Sequence, residues 1–216
     1  MSAHSAHTDG PNAPQETIAS LKEAMDRLES GQPAAPSEVT PADLSPDAAS
    51  QQEKAKAVVL RKLTGSAKSR HQLAQTLRDR EFGEDVIVAV LDRLEAVNLI
   101  DDAAFAQSWV RTRYETRGLG RAALGRELRD RGVADQLIEA ALDQLSDDDE
   151  AGAARDLLEK KLRGVVIPAG GDAESRKERD KHTRRLVAML ARRGHAPGAA
   201  FRLVREVMDE HAHSGS

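Results

Sequence analysis

The chain of 216 residues has 31% charged and 39% hydrophobic side chains, so it can bury a core beneath a highly charged surface. It contains no cysteine, which excludes disulfides, thiolate metal sites and cysteine nucleophiles. Aromatic residues make up only 2%, and the apolar residues are mostly Leu, Val and Ala, a composition that favours packed helices over a β-sandwich.

Residues 1–52 are predicted to form a disordered, acidic extension. Six prolines with Ser, Ala and Gly between them leave little apolar surface to bury. Residues 1–53 hold two basic and nine acidic side chains, so a chain of net charge −4 has a remainder of charge +3. An apolar stripe over 16–29 is either a nascent helix in a solvated tail or a docking helix for a partner. The stripe consists of Ile18, Leu21, Met25 and Leu28.

The sequence shows neither a secretory signal pattern nor a membrane-spanning apolar run. The N-terminal residues have neither the basic start nor the apolar run of a secretory signal. The longest apolar run, 86–91, is too short to span a bilayer. We therefore expect a soluble, cytoplasmic protein.

Residues 53–98 predict a first three-helix unit. Its first helix carries Val58, Val59, Leu60 and Leu63 and ends at Gly65. Ser69 and Gln72 have the spacing of a capping box for the helix that contains Leu73 and Leu77. A third helix opens at 83–85 and carries the apolar run at 86–91.

Residues 99–146 repeat this order. Asp101 and Asp102 can cap a first helix, in which Phe105, Trp109 and Val110 form one apolar stripe. Glycines at 118 and 120 end that helix, and a second helix ends at a C′ glycine, 132. A third helix spans the apolar residues between 137 and 145.

Residues 147–210 predict a third unit, with an insertion near 164–176 and a tail at 211–216. The acidic run at 147–150 separates this unit from the second and fits a hinge or a helix cap. The last helix carries Phe201, Val204 and Val207.

The three units share one pattern, Leu-x3-Leu followed by basic residues, a turn and another amphipathic helix. The first leucines, Leu73, Leu124 and Leu186, are 51 and 62 residues apart, and the insertion accounts for the longer spacing. Such periods are typical of helical arrays in which each unit buries its apolar face on its neighbours. We therefore predict an all-α fold of three tandem three-helix, helix-turn-helix-like repeats in an elongated, curved array.

The central unit carries a specific motif. It reads Leu99-Ile100-Asp101-Asp102-x-x-Phe105-Ala106, then Arg111-x-Arg113, then Gly120-x-x-x-Leu124-x-x-Glu127-Leu128-x-x-x-Gly132-Val133. This pattern strongly resembles the RecX regulatory family, and the resemblance covers roughly 54–210. The acidic extension and the segment 164–171 lie outside the common pattern.

The resemblance implies a non-enzymatic modulator of the RecA recombinase that needs no cofactor and no metal. Such proteins lodge in the groove of the filament that RecA forms on single-stranded DNA. They hinder ATP hydrolysis and strand exchange, which connects them with DNA repair and the SOS response. The partners expected for this chain, acting as a monomer, are the RecA filament and the single-stranded DNA within it.

Basic side chains are densest where such contacts would lie. Seven arginines between 111 and 131 face three acidic residues, a local charge of +4, and 174–193 has a local charge of +5. Arginine binds phosphates and carboxylates equally well, so these basic stretches are predicted to contact DNA, the acidic surface of RecA or both. The alternative is a solvated helix face with ion pairs at i,i+4 spacing. The contact candidates are Lys68, Arg70, Arg111, Arg113, Arg117, Arg121, Arg126, Arg129, Arg192 and Arg193.

Two other functional classes compete with this interpretation. One is a stand-alone, nonspecific DNA-binding protein built from helix-turn-helix-like repeats, and the other is a pure protein adaptor. Single-strand binders usually stack bases on aromatic rings, and Tyr114 is the one plausible exposed ring, because Phe105 and Trp109 fit a core better. Sequence-reading DNA recognition is therefore disfavoured.

Enzymatic motifs are incomplete. The glycines at 120 and 125 mimic a phosphate-binding loop but lack the Lys-Ser/Thr that would follow them. The acidic run at 147–150 lacks the alternating ligands and the glycine of a Ca²⁺ loop. The seven histidines show no pair suited to zinc, and no nucleophile arrangement is readable. We expect no catalytic centre.

Overall fold

The computed structural model describes residues 46–168 and 171–214, and these ranges contain helices and no strand. The apolar stripe predicted over 16–29 lies outside the described residues. The all-α prediction is confirmed. The helices are α1 (Pro46–Leu63), α2 (Arg70–Arg78), α3 (Glu84–Ala96), α4 (Asp102–Arg117), α5 (Arg121–Arg129), α6 (Asp135–Leu142), α7 (Asp147–Leu162), α8 (Ala173–Arg192) and α9 (Pro197–Ser214).

These helices form three consecutive groups of three, each with its own core. The chain divides into two compact units between Asp101 and Asp102, so the first group, α1–α3, is a unit by itself. Its core holds Val59, Leu73, Leu77, Ile87 and Leu91, all of them at most 1% exposed. The predicted capping box at the start of α2 is present, because the hydroxyl of Ser69 accepts a hydrogen bond from the backbone N–H of Gln72.

The second unit contains the other two groups, α4–α6 and α7–α9. The core of α4–α6 includes Phe105, Val110 and Ile138 together with the leucine pair of α5. The core of α7–α9 includes Leu158, Leu162, Val204 and Met208 together with the leucine pair of α8. In place of a hinge, the acidic run at 147–150 is the first turn of α7, where carboxylates stabilise the helix dipole.

The Leu-x3-Leu motif is the invariant element of the three groups. All six leucines are buried, with Leu186 at 4% and the other five at 0% exposure. Each motif is followed by a residue with positive φ, which is Glu81 (63°), Gly132 (71°) or Gly194 (88°). The next residue, Phe82, Val133 or His195, donates its backbone N–H to the second leucine's carbonyl in every repeat. The three-helix repeat is therefore confirmed, and the turns after its leucine pairs share one backbone geometry.

Candidate protein and nucleic-acid interface

Trp109 of α4 anchors one of the candidate arginines to the body of the second repeat. The guanidinium carbons of Arg113 and Arg131 lie 4.2 and 3.7 Å from the centroid of its indole ring. The indole N–H donates to the carboxylate of Glu127 at 2.9 Å, and Arg113 Nε lies 3.5 Å from the same group. Burial lowers the pKa of Arg131, although the charge of Glu127 raises it. Arg113 is therefore part of the packing between α4 and α5.

Arg121 is engaged at the opposite end of α5. Its guanidinium donates to the carbonyl oxygens of Leu145 at 3.0 Å and Leu142 at 3.1 Å, and it lies 3.3 Å from Asp143. The last carbonyls of a helix have no partner within the helix, so a cation at this position satisfies and stabilises them. Arg121 thus joins the start of α5 to the end of α6.

Two further candidates form ion pairs inside their own repeats. Arg70 lies 2.6 Å from Asp92 and 2.5 Å from Glu95, so it connects α2 to α3. Arg129 lies 2.8 Å from Asp135, but both side chains are more than half exposed, and such pairs contribute little to stability.

The remaining candidates have no such partner. Their side chains make no hydrogen bond or ion pair with any residue in the described ranges, and the four that lie on helices of the second and third repeats are all exposed. This unpaired set consists of Lys68, Arg111, Arg117, Arg126, Arg192 and Arg193, of which Lys68 and Arg193 are half-buried.

The second unit brings together two basic stretches that are distant in sequence. Gly120 donates its backbone N–H to the carbonyl of Arg193 at 2.9 Å, and Ala122 donates to the carbonyl of Gly194 at 3.3 Å. A Cβ on Gly120 would lie 2.7 Å from the backbone of Gly194, so this approach requires glycine. The turn after Arg117 therefore contacts the turn that carries Arg192 and Arg193. We call this contact between 118–123 and 193–195 the joint.

Sequence reasoning missed the joint because it treated the two basic stretches separately. Gly120 was predicted as a helix stop and occurs in the family motif, and the turn that contains Gly194 was predicted within its own repeat, so no local pattern connected the two glycines. A glycine in place of the usual polar N-cap of α5 was the available signal, since the N-cap Gly120 has no side chain to accept from the first amides. The third repeat supplies those acceptors.

The basic stretch at 174–193 forms most of α8. This helix buries Leu186 and Leu190 and exposes a row of cations on its outer side. Lys181 pairs with Glu178 at 3.2 Å. Five exposed cations have no carboxylate partner in the described ranges, namely Arg176, Lys177, Arg184, Arg185 and Arg192.

The aromatic side chains differ from the prediction in two places. Tyr114, expected to be exposed, is half-buried, and its hydroxyl donates to the carbonyl of Asp149 at 2.6 Å. Phe201, expected on the apolar side of the last helix, is 47% exposed, with the guanidinium of Arg205 5.9 Å from its ring. The reason is helical phase, because Phe201 is one residue out of register with the buried Ala200 and Val204.

Among the described residues, no three His, Asp or Glu side chains converge as metal ligands. No helix in the same ranges combines the length and the apolar character needed to cross a bilayer.

Comparison with known proteins identifies close relatives. Residues 55–94 match the family model of the first three-helix domain of RecX, and 101–142 match that of the second. The chain is 48% identical over 158 residues to the regulatory protein RecX of Streptomyces coelicolor, a match that covers 73% of this chain and 79% of that protein. It is 44% identical over 156 residues to the regulatory protein RecX of Thermobifida fusca, covering 72% and 80%.

A solved structure shares the fold. The crystal structure of RecX from Lactobacillus salivarius superimposes with a TM-score of 0.62 at 23% identity. The match covers 74% of this chain and 97% of that one. The tandem helical repeats described above are therefore found in an experimentally determined relative.

Proposed function

Because this chain belongs to the RecX family of regulatory proteins, we propose that it binds the filament formed by RecA on single-stranded DNA and reduces its ATPase and strand-exchange activities. It acts by binding, as a monomer, and carries out no chemistry of its own. A protein that contacts several subunits of a helical filament needs an extended surface rather than a pocket, and tandem repeats provide such surfaces.

The observation that carries this proposal is the set of unpaired arginines in the second unit. Arg117, Arg192 and Arg193 belong to the joint or adjoin it, and Arg111 and Arg126 lie on the exposed sides of α4 and α5. A guanidinium without a carboxylate partner in its own chain is available to phosphate oxygens or to the carboxylates of another protein. A filament of protein and DNA offers both.

The paired candidates take a different part in the same proposal. Arg113 and Arg121 fix helices of the second repeat against one another and so hold its unpaired arginines in position, while Arg70 connects α2 to α3 in the first repeat. All three donate to a partner only with what remains of their hydrogen-bonding capacity. Arg129, paired only at the surface, exchanges Asp135 for an external anion at little cost.

A second function is favoured by the outer side of α8. Five cations without carboxylate partners on a single helix are typical of a surface that follows a nucleic-acid backbone. The alternative is therefore a nonspecific DNA-binding protein that acts without RecA. Only one aromatic ring, Phe201, is strongly exposed among the described residues, so base stacking contributes little in either case.

Co-sedimentation separates these functions. The protein is centrifuged with RecA alone, with single-stranded DNA alone, and with the filament assembled in the presence of a slowly hydrolysed ATP analogue. Selective recovery with the filament is the expected result, together with a lower ATPase activity of RecA in a parallel assay with ATP. Equal recovery with bare DNA, falling steeply with salt, would establish the DNA-binding alternative. Equal recovery with RecA alone would establish a protein adaptor, and no recovery with any of the three would refute both functions.

A further inference from the structure

His195 stands at a position that is apolar in the other two repeats. The equivalent residues are Phe82 and Val133, and both pack within their own repeat. All three make the same backbone hydrogen bond to the second leucine of the motif, so the main chain is alike. The third repeat therefore places a titratable ring where the fold by itself requires only an apolar side chain.

The ring of His195 is 5% exposed and both of its nitrogens face acceptors. Nε2 lies 3.0 Å from the carbonyl oxygen of Gly118, in the second repeat, and Nδ1 lies 3.4 Å from Oε1 of Glu150. A neutral imidazole carries one N–H, so either tautomer directs a lone pair at one of these oxygens. Only the imidazolium donates to both.

Glu150 connects this ring to the start of α5. Its Oε1 accepts the backbone N–H of Arg121 at 3.3 Å and lies 3.4 Å from Nδ1 of His195. The first amides of a helix have no acceptors within the helix, and here Glu150 and the carbonyls of Arg193 and Gly194 accept from 120–122. The third repeat therefore caps the amides of 120–122, whereas the amide of Ala123 donates to the carbonyl of Gly120 at 3.1 Å within the second repeat.

The other charges around His195 are of both signs. His195 lines a cavity of about 430 Å³ that is open to solvent, the source of its proton. The charged residues that line this cavity with it include Asp147, Glu206 and Arg202. The side chain of Arg121 is directed to the end of α6, where it lies 4.0 Å from Asp147. Arg192 and Arg193 precede His195 in the chain. Among the described residues, Glu150 is the carboxylate that forms an ion pair with the ring.

We propose that His195 and Glu150 are positioning residues, and that binding of a proton by His195 locks the third repeat onto the second. The locked joint holds Arg192 and Arg193 beside Arg117 as a single contact surface. Loss of the proton removes one donor, leaves a lone pair facing an acceptor and loosens the cap on α5. The consequence for filament binding rests on the function proposed above, whereas the lock itself does not.

Amide hydrogen exchange of the full chain tests the lock without any partner. Protection of 120–122 is measured from pH 5.5 to pH 8.5, the interval in which histidines ordinarily change charge, and is corrected for the intrinsic pH dependence of exchange. Protection is expected to fall by about 10- to 100-fold as the pH rises, the factor produced by losing one hydrogen bond to a charged group. Amide protection at Phe82, which is bonded within the first repeat, is expected to stay constant.

Three variants make the test specific. His195→Phe restores the apolar residue of the first repeat, and His195→Gln keeps a donor that does not titrate. Both are expected to leave protection at 120–122 independent of pH and close to the wild-type value at high pH. Glu150 lies outside the leucine cores, and Glu150→Gln is expected to remove most of the pH dependence of protection at 120–122. Unchanged pH dependence in His195→Gln, or a flat profile in the wild type, would overturn the proposal.

Filament inhibition at the two ends of the same pH range separates this inference from the proposed function. A pH-dependent lock combined with no filament binding at any pH would retain the lock and reject the function. Filament binding combined with flat exchange profiles would retain the function and reject the lock.

Discussion

The indole N–H of Trp109 donates to the carboxylate of Glu127 at 2.9 Å, which joins the middle of α4 to the last turn of α5. Around this bond, Arg131 places its guanidinium carbon 3.7 Å from the ring centroid and donates to the carbonyl oxygen of Glu127 at 2.5 Å. Trp109 is the single tryptophan of the chain, so its fluorescence reports on this cluster alone.

Replacement of Arg131 by Ala removes a cation–π contact and a hydrogen bond from this cluster. We expect the free energy of unfolding to fall by about 1–2 kcal/mol, since a partly desolvated contact of this kind contributes that amount. Urea unfolding followed by tryptophan fluorescence measures it. Arg111→Ala, at an exposed and unpaired arginine of α4, is the matched control and should change stability by less than about 0.5 kcal/mol. Equal effects of the two would contradict the cluster's contribution.

Leu128 is completely buried in the core of the second repeat. Leu128→Ala leaves a cavity and should lower the free energy of unfolding by roughly 2–5 kcal/mol. Val166→Ala, at a side chain that is 87% exposed, serves as the control for a lost aliphatic group. An unchanged urea midpoint for Leu128→Ala would show that the face assigned to α5 is wrong.

Two glycines of the second unit should respond oppositely to alanine. Gly194 has φ of 88° and a Cβ there would collide with the backbone of Ala123, so Gly194→Ala should cost about 2 kcal/mol or more. Gly152 lies inside α7 with open space around it, so Gly152→Ala should stabilise by about 0.5–1 kcal/mol. Thermal unfolding of both variants checks the contrast, and an unchanged or higher stability of Gly194→Ala would refute the close approach at the joint.

Acidification should weaken the joint from the side of Glu150. The hydrogen bond from His195 holds the pKa of this carboxyl below its ordinary value of 4.5, with burial opposing and the amide of Arg121 adding to the effect. In the unfolded chain Glu150 takes up a proton at a higher pH than in the folded protein. Its contribution to stability is therefore complete above about pH 4.5 and is lost as the pH falls through the lowered value.

Glu150→Gln should accordingly flatten the decline of unfolding free energy between pH 5 and pH 3, measured by urea titration at each pH. Glu159→Gln, at an exposed residue of the same helix, is the control and should follow the wild-type profile. A Glu150→Gln profile parallel to that of the wild type would mean that the carboxyl titrates alike in the folded and unfolded states.

Charge reversal of the unpaired arginines tests the proposed contact surface. Arg111, Arg117 and Arg126 have no partners among the described residues, so replacing all three by Glu should leave helicity unchanged and weaken filament inhibition at least tenfold. Reversal of Arg113 and Arg121 weakens inhibition as well, but it also disrupts packing and carbonyl capping. That pair is therefore the poorer probe.

The matched control reverses three exposed cations of the first repeat that are not contact candidates, Lys54, Arg61 and Lys62. Both triple variants change the net charge equally, so a nonspecific electrostatic effect would weaken inhibition in both. Full inhibition by the variant of the second unit would reject the arginines as contacts.

The repeats could be predicted from the sequence because their signals are local. Leucines four residues apart face one side of a helix, and Ser69 and Gln72 mark a helix start through bonds that span three residues. The motif around 99–133 was specific enough to indicate the family. Phe201 was misassigned because one step of helical phase decides exposure. Tyr114 was misassigned because its hydroxyl donates to the carbonyl of Asp149, 35 residues away in the third repeat.

The sequence by itself determined three helical repeats, their buried leucines and the stretches in which arginines are dense, since each of these depends on residues close together in the chain. Only the tertiary structure decided which of the candidate arginines are engaged and which are unpaired, because their partners lie as far as 25 residues away, as Glu95 does from Arg70. It also decided that Gly120 meets Gly194 and that His195 reaches Gly118, 77 residues earlier. Contacts of this kind arise from the packing of whole repeats, which no local pattern encodes.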